Sequence, residues 1–220
     1  MKKGFIFDLD GVIVDTAKYH FLAWQNLANS LGISFSLAQN EQLKGVSRVR
    51  SLEKILEWGD KTISEEEFTR LMREKNEEYL NYISKMDINE ILPDVPRILD
   101  NLISRGQAIA LGSASKNARV ILEKVQLIDK FHAIVDGTNV SKAKPDPEVF
   151  LIGAQQLDIS PEHCIVFEDS VAGIQAANTA NMISIGIGDA KVLHEADYIF
   201  TNFTEIKEEF INNLVLARKV

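Results

Sequence analysis

From Pro93 to Phe200, short apolar runs alternate with segments of helical periodicity, and no other feature limits the fold as much. Ala108 to Leu111, Ala133 to Val135, Cys164 to Phe167, Ile183 to Ile187 and Tyr198 to Phe200 read as strands. Val95 to Ser104, Ala118 to Val125, Pro147 to Leu157 and Val171 to Ala180 read as helices, and a last helix is predicted over Phe203 to Ala217. Strands and helices in this order give an α/β fold, a parallel sheet with helices on both faces. One more apolar run, Gly4 to Phe7, opens the chain as a strand. Between Thr16 and Met86 no strand pattern occurs. Tyr19, Phe21, Leu22, Trp24, Leu27, Ala28 and Leu31 recur at three- and four-residue steps, and Gly32 is a stop signal. Ser51 to Trp58 and Ser64 to Ile83 read as further helices, the second opened by a capping-box pattern, Ser64-Glu65-Glu66-Glu67. Residues 1–15 and 89–220 are therefore expected to form the α/β core, with residues 16–88 inserted as a helical cap. The junctions near Asp15 and Asn89 are hinge candidates.

Size and charge narrow the partners. The 220 residues suit one domain with an insertion, and the net charge of −8 argues against nucleic acid. An acidic protein that handles phosphate must concentrate its cations locally. The single cysteine, Cys164, lies in an apolar run and reads as a small buried hydrophobe. Acids follow Met1-Lys2-Lys3 too soon for a signal peptide, and no stretch approaches the roughly 20 apolar residues of a membrane span. A cytoplasmic monomer with no membrane partner is the expectation.

Polar residues gather at the predicted strand ends. The first strand runs into Asp8-Leu9-Asp10-Gly11, and strand alternation is expected to put Asp8 and Asp10 on one side. Paired carboxylates there need a cation, a shared proton or water. The second strand leads to Ser113 and Ala114, a hydroxyl and a backbone N–H before a helix. Lys144, ahead of Pro145, follows the third, and Glu168 and Asp169 follow the fourth. Ligands of open α/β sheets bind beyond these carboxyl ends. Four acids with oxygen donors suit a hard divalent cation such as Mg²⁺. Each motif also has a plainer reading. Asp-x-Asp-Gly is a common turn, Glu168-Asp169-Ser170 a common helix cap, and Lys144 a possible solvated loop lysine.

Together the string Asp8-x-Asp10-Gly11-Val12-x-x-Asp15-Thr16, Ser113, Lys144 and Glu168-Asp169 resembles the haloacid dehalogenase-like superfamily over nearly the whole chain. The resemblance implies a Rossmann-like core. It implies that Asp8 is a nucleophile forming an aspartyl phosphate, and that Asp10 is the general acid/base with its backbone carbonyl on Mg²⁺. Ser113 and Lys144 would hold the transferring phosphate, and Glu168 and Asp169 would complete the metal site with Asp8 and Asp10. True dehalogenases lack an acid corresponding to Asp10, which disfavours dehalogenation.

Further motifs resemble the β-phosphoglucomutase branch: Thr16, His20 and Trp24 at one-turn steps, Lys44-Gly45-Val46-Ser47-Arg48, Lys75-Asn76, and Ser115-Lys116-Asn117 after Ser113-Ala114. The likeness implies a distal phosphate on Arg48, Ser115, Lys116 and Asn117. Thr16 and His20 would couple the hinge to Asp10, Lys75 would border the sugar, and Trp24, Gly45, Val46 and Ser47 would belong to the substrate site. It implies exchange of β-glucose 1-phosphate and glucose 6-phosphate, with β-glucose 1,6-bisphosphate as activator and intermediate. Val49 departs from relatives that carry an acid there. Arg48, Ser115 and Asn117 can equally be read as a helix start and caps, and His20 as a packed histidine. A sugar-phosphate phosphatase shares every core motif and is the alternative. A non-catalytic phosphate sensor is a third reading, opposed by the intact Asp8 and Asp10.

Overall fold

The structure, a computed structural model, describes residues 2–216. In chain order the elements are β1 (Gly4–Phe7), α1 (Ala17–Ser30), α2 (Leu37–Glu41), α3 (Arg48–Trp58), α4 (Glu65–Ile83), α5 (Val95–Ser104), β2 (Ala108–Gly112), α6 (Ala118–Lys124), β3 (Ala133–Val135), α7 (Glu148–Gln156), β4 (Cys164–Glu168), α8 (Val171–Thr179), β5 (Ile183–Ile187), β6 (Tyr198–Phe200) and α9 (Glu208–Leu216). The strands form one sheet in the order β3-β2-β1-β4-β5-β6, and every pair is parallel. Strand order reverses beside β1, with β2 on one side and β4 on the other. That crevice is where an open sheet of this kind takes its ligand.

Strand alternation sorts the side chains into two layers. Phe5, Phe7, Ile109, Leu111, Ile165 and Phe167 face α5, α6 and α9. Ile6, Ala108, Ala110, Cys164 and Val166 face α7 and α8. Phe7 and Phe167 stack with ring centroids 4.6 Å apart, and each fully buried ring is worth about 1.5–3 kcal/mol. Cys164 is buried in this packing, which pushes its thiol up to about 12, and it is inert as a nucleophile.

Helices α1 to α4 gather around a cluster of their own that includes Trp24, Leu27, Phe35, Leu52, Ile55 and Leu71. Tyr79, Ile83 and Met86 instead join the main core, so the packing is continuous at the junction. The two connecting segments lie side by side there. Val14 bridges Ile91 in antiparallel fashion, Asp15 N–H donates to the Glu90 carbonyl at 3.0 Å, and Glu90 accepts from Lys18 and Tyr19 at 2.6 and 2.7 Å.

Three elements differ from the sequence expectation. Helix α3 begins at Arg48, one turn before the expected Ser51, and the Ser47 hydroxyl caps it by accepting from Arg50 N–H at 3.3 Å. Helix α2 has only five residues, too few for a periodic pattern, yet a Ser36–Gln39 capping box secures its start. The last predicted helix is divided into a 3₁₀ turn, Phe203–Glu205, and α9, while Ala217 lies outside the described residues. Ile206 causes the break. It is extended and fully buried, and Arg97 holds the carbonyls of Phe203 and Ile206 at 3.2 and 2.9 Å. At Ser64, the hydroxyl caps Glu67 N–H at 3.2 Å.

Candidate active site

Residues beyond the carboxyl ends of β1, β2 and β4 converge on one cavity of about 370 Å³, closed over by α1, α3 and α4. Strand β1 stops at Phe7, so strand alternation is not what aims Asp8 and Asp10. A tight turn does so instead. Ile13 and Val14 N–H groups donate to the Leu9 carbonyl at 2.9 and 3.1 Å, and Gly11 N–H donates to Val14 O at 2.9 Å. Gly11 sits at φ +81°, and a Cβ there would collide with the Asp169 carboxylate. The absent side chain lets Asp169 lie against the turn that carries Asp10.

The Lys144 ammonium stands between two carboxylates, 2.6 Å from Asp8 Oδ1 and 2.7 Å from Glu168 Oε1. All three side chains are buried. Parallel pairing of β1 with β4 brings Asp8 and Glu168 together, because Phe7 lies opposite Phe167. The other oxygen of Glu168 accepts from Ser170 N–H at 2.6 Å and from the Ser170 hydroxyl at 2.9 Å. Both oxygens are thus engaged, and the side chain does not line the cavity. Asp169 does line it, and pairs with Lys44 at 3.2 Å. Burial raises Asp8 well above the usual carboxylate range. Lys144 opposes this, while Glu168, Asp10 and Asp169 add to it. Burial and Glu168 likewise push Asp169 up to about 7, against the pull of Lys44. Among the described residues no three His, Cys, Asp or Glu side chains group closely enough to hold a metal by themselves. Asp8, Asp10, Glu168 and Asp169 nevertheless outnumber the nearby cations Lys44, Lys75 and Lys144. This charge excess and its oxygen donors fit a hard divalent ion that completes its shell with water and phosphate.

Asp10 accepts a short hydrogen bond from the Thr16 hydroxyl, and burial raises its pKa. Thr16 is itself buried and does not line the cavity. His20 Nε2 lies 3.8 Å from Asp10 Oδ1, and its Nδ1 lies 3.1 Å from Lys75 Nζ. An ammonium can only donate, so a charged Lys75 makes Nδ1 the acceptor and leaves the ring proton on Nε2, toward Asp10. Burial, then Lys75 and Arg48, hold the His20 pKa well below its ordinary value, so the ring is neutral. Lys75 is buried against the Trp24 and Tyr79 rings, 4.5 and 4.7 Å from their centroids. Burial and Arg48 lower its pKa to about 7. The π faces favour its charged form.

Ser113, Ala114, Ser115, Lys116 and Asn117 line the cavity from the core, and Gly45, Val46, Ser47 and Arg48 line it from above. The Ser113 hydroxyl accepts from Ser115 N–H at 3.1 Å, and the Ser115 hydroxyl accepts from Asn117 N–H at 3.2 Å. With those lone pairs occupied, each hydroxyl proton can donate to an anion. Gly45, at φ +70°, brings its backbone against Ser170, where a Cβ would meet the Ser170 hydroxyl. Arg48 forms no ion pair among the described residues, and burial lowers its pKa. Sequence reasoning did not single out Tyr79, Asn40 or Met72 as cavity residues, nor Lys44 as the partner of Asp169. Helical phase after Lys75 was the available signal for Tyr79, one turn on.

The chain matches the haloacid dehalogenase-like hydrolase family over residues 2–181. It is 43% identical over 212 residues to a β-phosphoglucomutase of Bacillus subtilis (strain 168), covering 96% of this chain and 94% of that protein. It is 33% identical over 184 residues to the fructose-1-phosphate phosphatase YqaB of Escherichia coli (strain K12), covering 84% and 95%. Its fold is similar to the crystal structure of β-phosphoglucomutase from Clostridium difficile, with a TM-score of 0.93, 43% identity, and 98% and 97% of the two chains covered. With the family match spanning most of its length, and the Asp8–Asp10 turn, Lys144 and the Glu168–Asp169 pair assembled at the carboxyl ends of the strands, the chain belongs to the haloacid dehalogenase-like hydrolase family.

Proposed function

We propose that this chain is a β-phosphoglucomutase, interconverting β-glucose 1-phosphate and glucose 6-phosphate through an aspartyl phosphate on Asp8. The observation that carries the reading is a single cavity lined by two sets of anion-binding groups. Ser113 and Lys144 lie with Asp8, while Arg48, Ser115, Lys116 and Asn117 form the second set. A phosphatase acting on a monoester needs one set. An enzyme that receives a bisphosphate in either orientation needs both. The 43% identity to the Bacillus subtilis β-phosphoglucomutase supports the same conclusion.

Asp8, phosphorylated by β-glucose 1,6-bisphosphate, passes its phosphoryl group to the 6-hydroxyl of β-glucose 1-phosphate, and Asp10 takes the hydroxyl proton. The bisphosphate turns over in the cavity. Asp8 then receives the phosphoryl group from C1, and Asp10 returns the proton to the departing oxygen. A raised pKa suits Asp10 to both directions of proton transfer, since either state must be accessible near neutrality. Lys144 holds Asp8 in register and supplies positive charge to the phosphoryl oxygens. Asp8, the Asp10 carbonyl and Asp169 would hold Mg²⁺, with Glu168 contributing charge behind Lys144. When bound, Mg²⁺ neutralises charge on the transferring phosphoryl group. Residues 1–15 and 89–220 serve as the core and 16–88 as the cap. Trp24, Val46 and Lys75 border the sugar, and closure excludes the water that would hydrolyse the aspartyl phosphate.

The test is a steady-state assay with β-glucose 1-phosphate, Mg²⁺ and a trace of the bisphosphate. Glucose 6-phosphate supports the mutase. Free phosphate in its place assigns a sugar-phosphate phosphatase, and neither product removes both readings.

A further inference from the structure

Among the described residues, two polar side-chain contacts besides that of His20 with Asp10 join the helical segment to the sheet domain across the cavity, away from the junction. One is the Lys44–Asp169 pair. The other is a hydrogen bond from Asn117 Nδ2 to Asn76 Oδ1, 3.1 Å long. Asn117 is the N-cap residue of α6, and asparagine is among the best N-caps, yet its side chain makes no capping bond. It is turned across the cavity to Asn76 on α4 instead. Asn76 follows Lys75 in the chain and is half-buried.

We propose that Asn76 is a positioning residue that orients Asn117 toward the phosphate not being transferred. An asparagine amide has two faces, one of acceptor oxygen and one of donor nitrogen. Carbonyl oxygen would repel a phosphate, whereas N–H attracts it. The acceptor Oδ1 of Asn76 selects the arrangement in which Asn117 brings Nδ2 forward. One amide hydrogen is then taken by Asn76, and the second is available to a phosphate oxygen. The same nitrogen touches the cap and the ligand, so seating α4 over the cavity and binding the distal phosphate favour each other. The inference rests on the distal-phosphate role of Asn117 given above.

The experiment compares wild type, Asn76→Ala, Asn117→Ala and the double variant with two phosphodonors. One is β-glucose 1,6-bisphosphate. The other is acetyl phosphate, which has no second phosphate. Loss of one neutral hydrogen bond predicts that Asn76→Ala lowers kcat/KM for the bisphosphate, relative to acetyl phosphate, by about 3- to 10-fold, mostly through KM. In the Asn117→Ala background the Asn76→Ala change should have no further effect on that ratio. An unchanged ratio, as a purely structural tie would give, overturns the role of Asn76, and so does a loss that multiplies in the double variant. Wild-type protein that forms no glucose 6-phosphate refutes the mutase reading itself, an outcome separate from either of these.

Discussion

Replacing Lys144 with methionine removes the ammonium that stands between Asp8 and Glu168 while keeping an unbranched side chain only one atom shorter. Lys144 is 5% exposed, Asp8 6% and Glu168 0%, so water cannot take over its role without rearrangement. Breaking a buried pair by removing one partner costs about 3–5 kcal/mol. The cost has a ceiling, because a stranded carboxylate can take up a proton. For a carboxyl group of ordinary pKa near 4, that uptake at pH 7 costs about 1.4 kcal/mol per pH unit, or about 4 kcal/mol in all. The expected loss at pH 7 is therefore about 3–4 kcal/mol. In a chain of this size that lowers Tm by about 6–15 °C. The sign of the pH dependence follows. The stranded acid has a folded pKa above its unfolded value, so its destabilisation is full at high pH and is relieved as pH falls. At pH 5 the ceiling drops to about 1.5 kcal/mol. Thermal unfolding of wild type and Lys144→Met should be followed at both pH values in EDTA, so that no divalent cation replaces the ammonium. A Tm within about 2 °C of wild type at pH 7, or a deficit that fails to shrink at pH 5, would refute the buried-charge argument.

Asp10→Asn should slow turnover by about 10²–10⁴-fold, the usual worth of general acid/base catalysis, while Mg²⁺ titration by calorimetry stays near wild type because a backbone carbonyl is the proposed ligand. Arg48→Ala removes a cation facing the cavity. One charged hydrogen bond is worth about 1.5–3 kcal/mol, so kcat/KM for the mutase reaction should fall about 10- to 100-fold, and equal loss with acetyl phosphate as donor would count against a distal site. Lys75, with its pKa lowered to about 7, is charged below that pH and loses its charge above it. A pH profile of kcat/KM should therefore decline on the alkaline side of neutrality, and Lys75→Met should lack that limb at a lower overall rate.

Much of the fold could be read from the chain because its signals are local. Every core strand showed as an apolar run, and α1, α3 and α4 as periodic patterns, although α3 begins at Arg48, one turn before the pattern read from Ser51. Helix α2 escaped because five residues make little more than one turn. The break at Ile206 escaped because a buried, extended isoleucine is visible only once α5 and its Arg97 are in place. The site divided in the same way. Asp8, Asp10, Ser113 and Asp169 are marked by their places just past strand ends, and Lys144 by its place before Pro145 in the loop that follows β3.

What the sequence alone determined is thus the order of elements and which residue types stand at the ends of the strands. Local periodicity and turn chemistry carry that information. Only the tertiary structure decided how those residues pair. Glu168, grouped with the acids expected to bind a metal by its neighbour Asp169, is engaged by Lys144 and Ser170. Lys44 pairs with Asp169, and Asn117 turns from its own helix to Asn76. Each of these pairings, apart from Glu168 with Ser170, joins residues far apart in the chain. Those long-range pairings depend on the register of parallel strands or on the seating of the helical segment over the sheet, which no local pattern encodes.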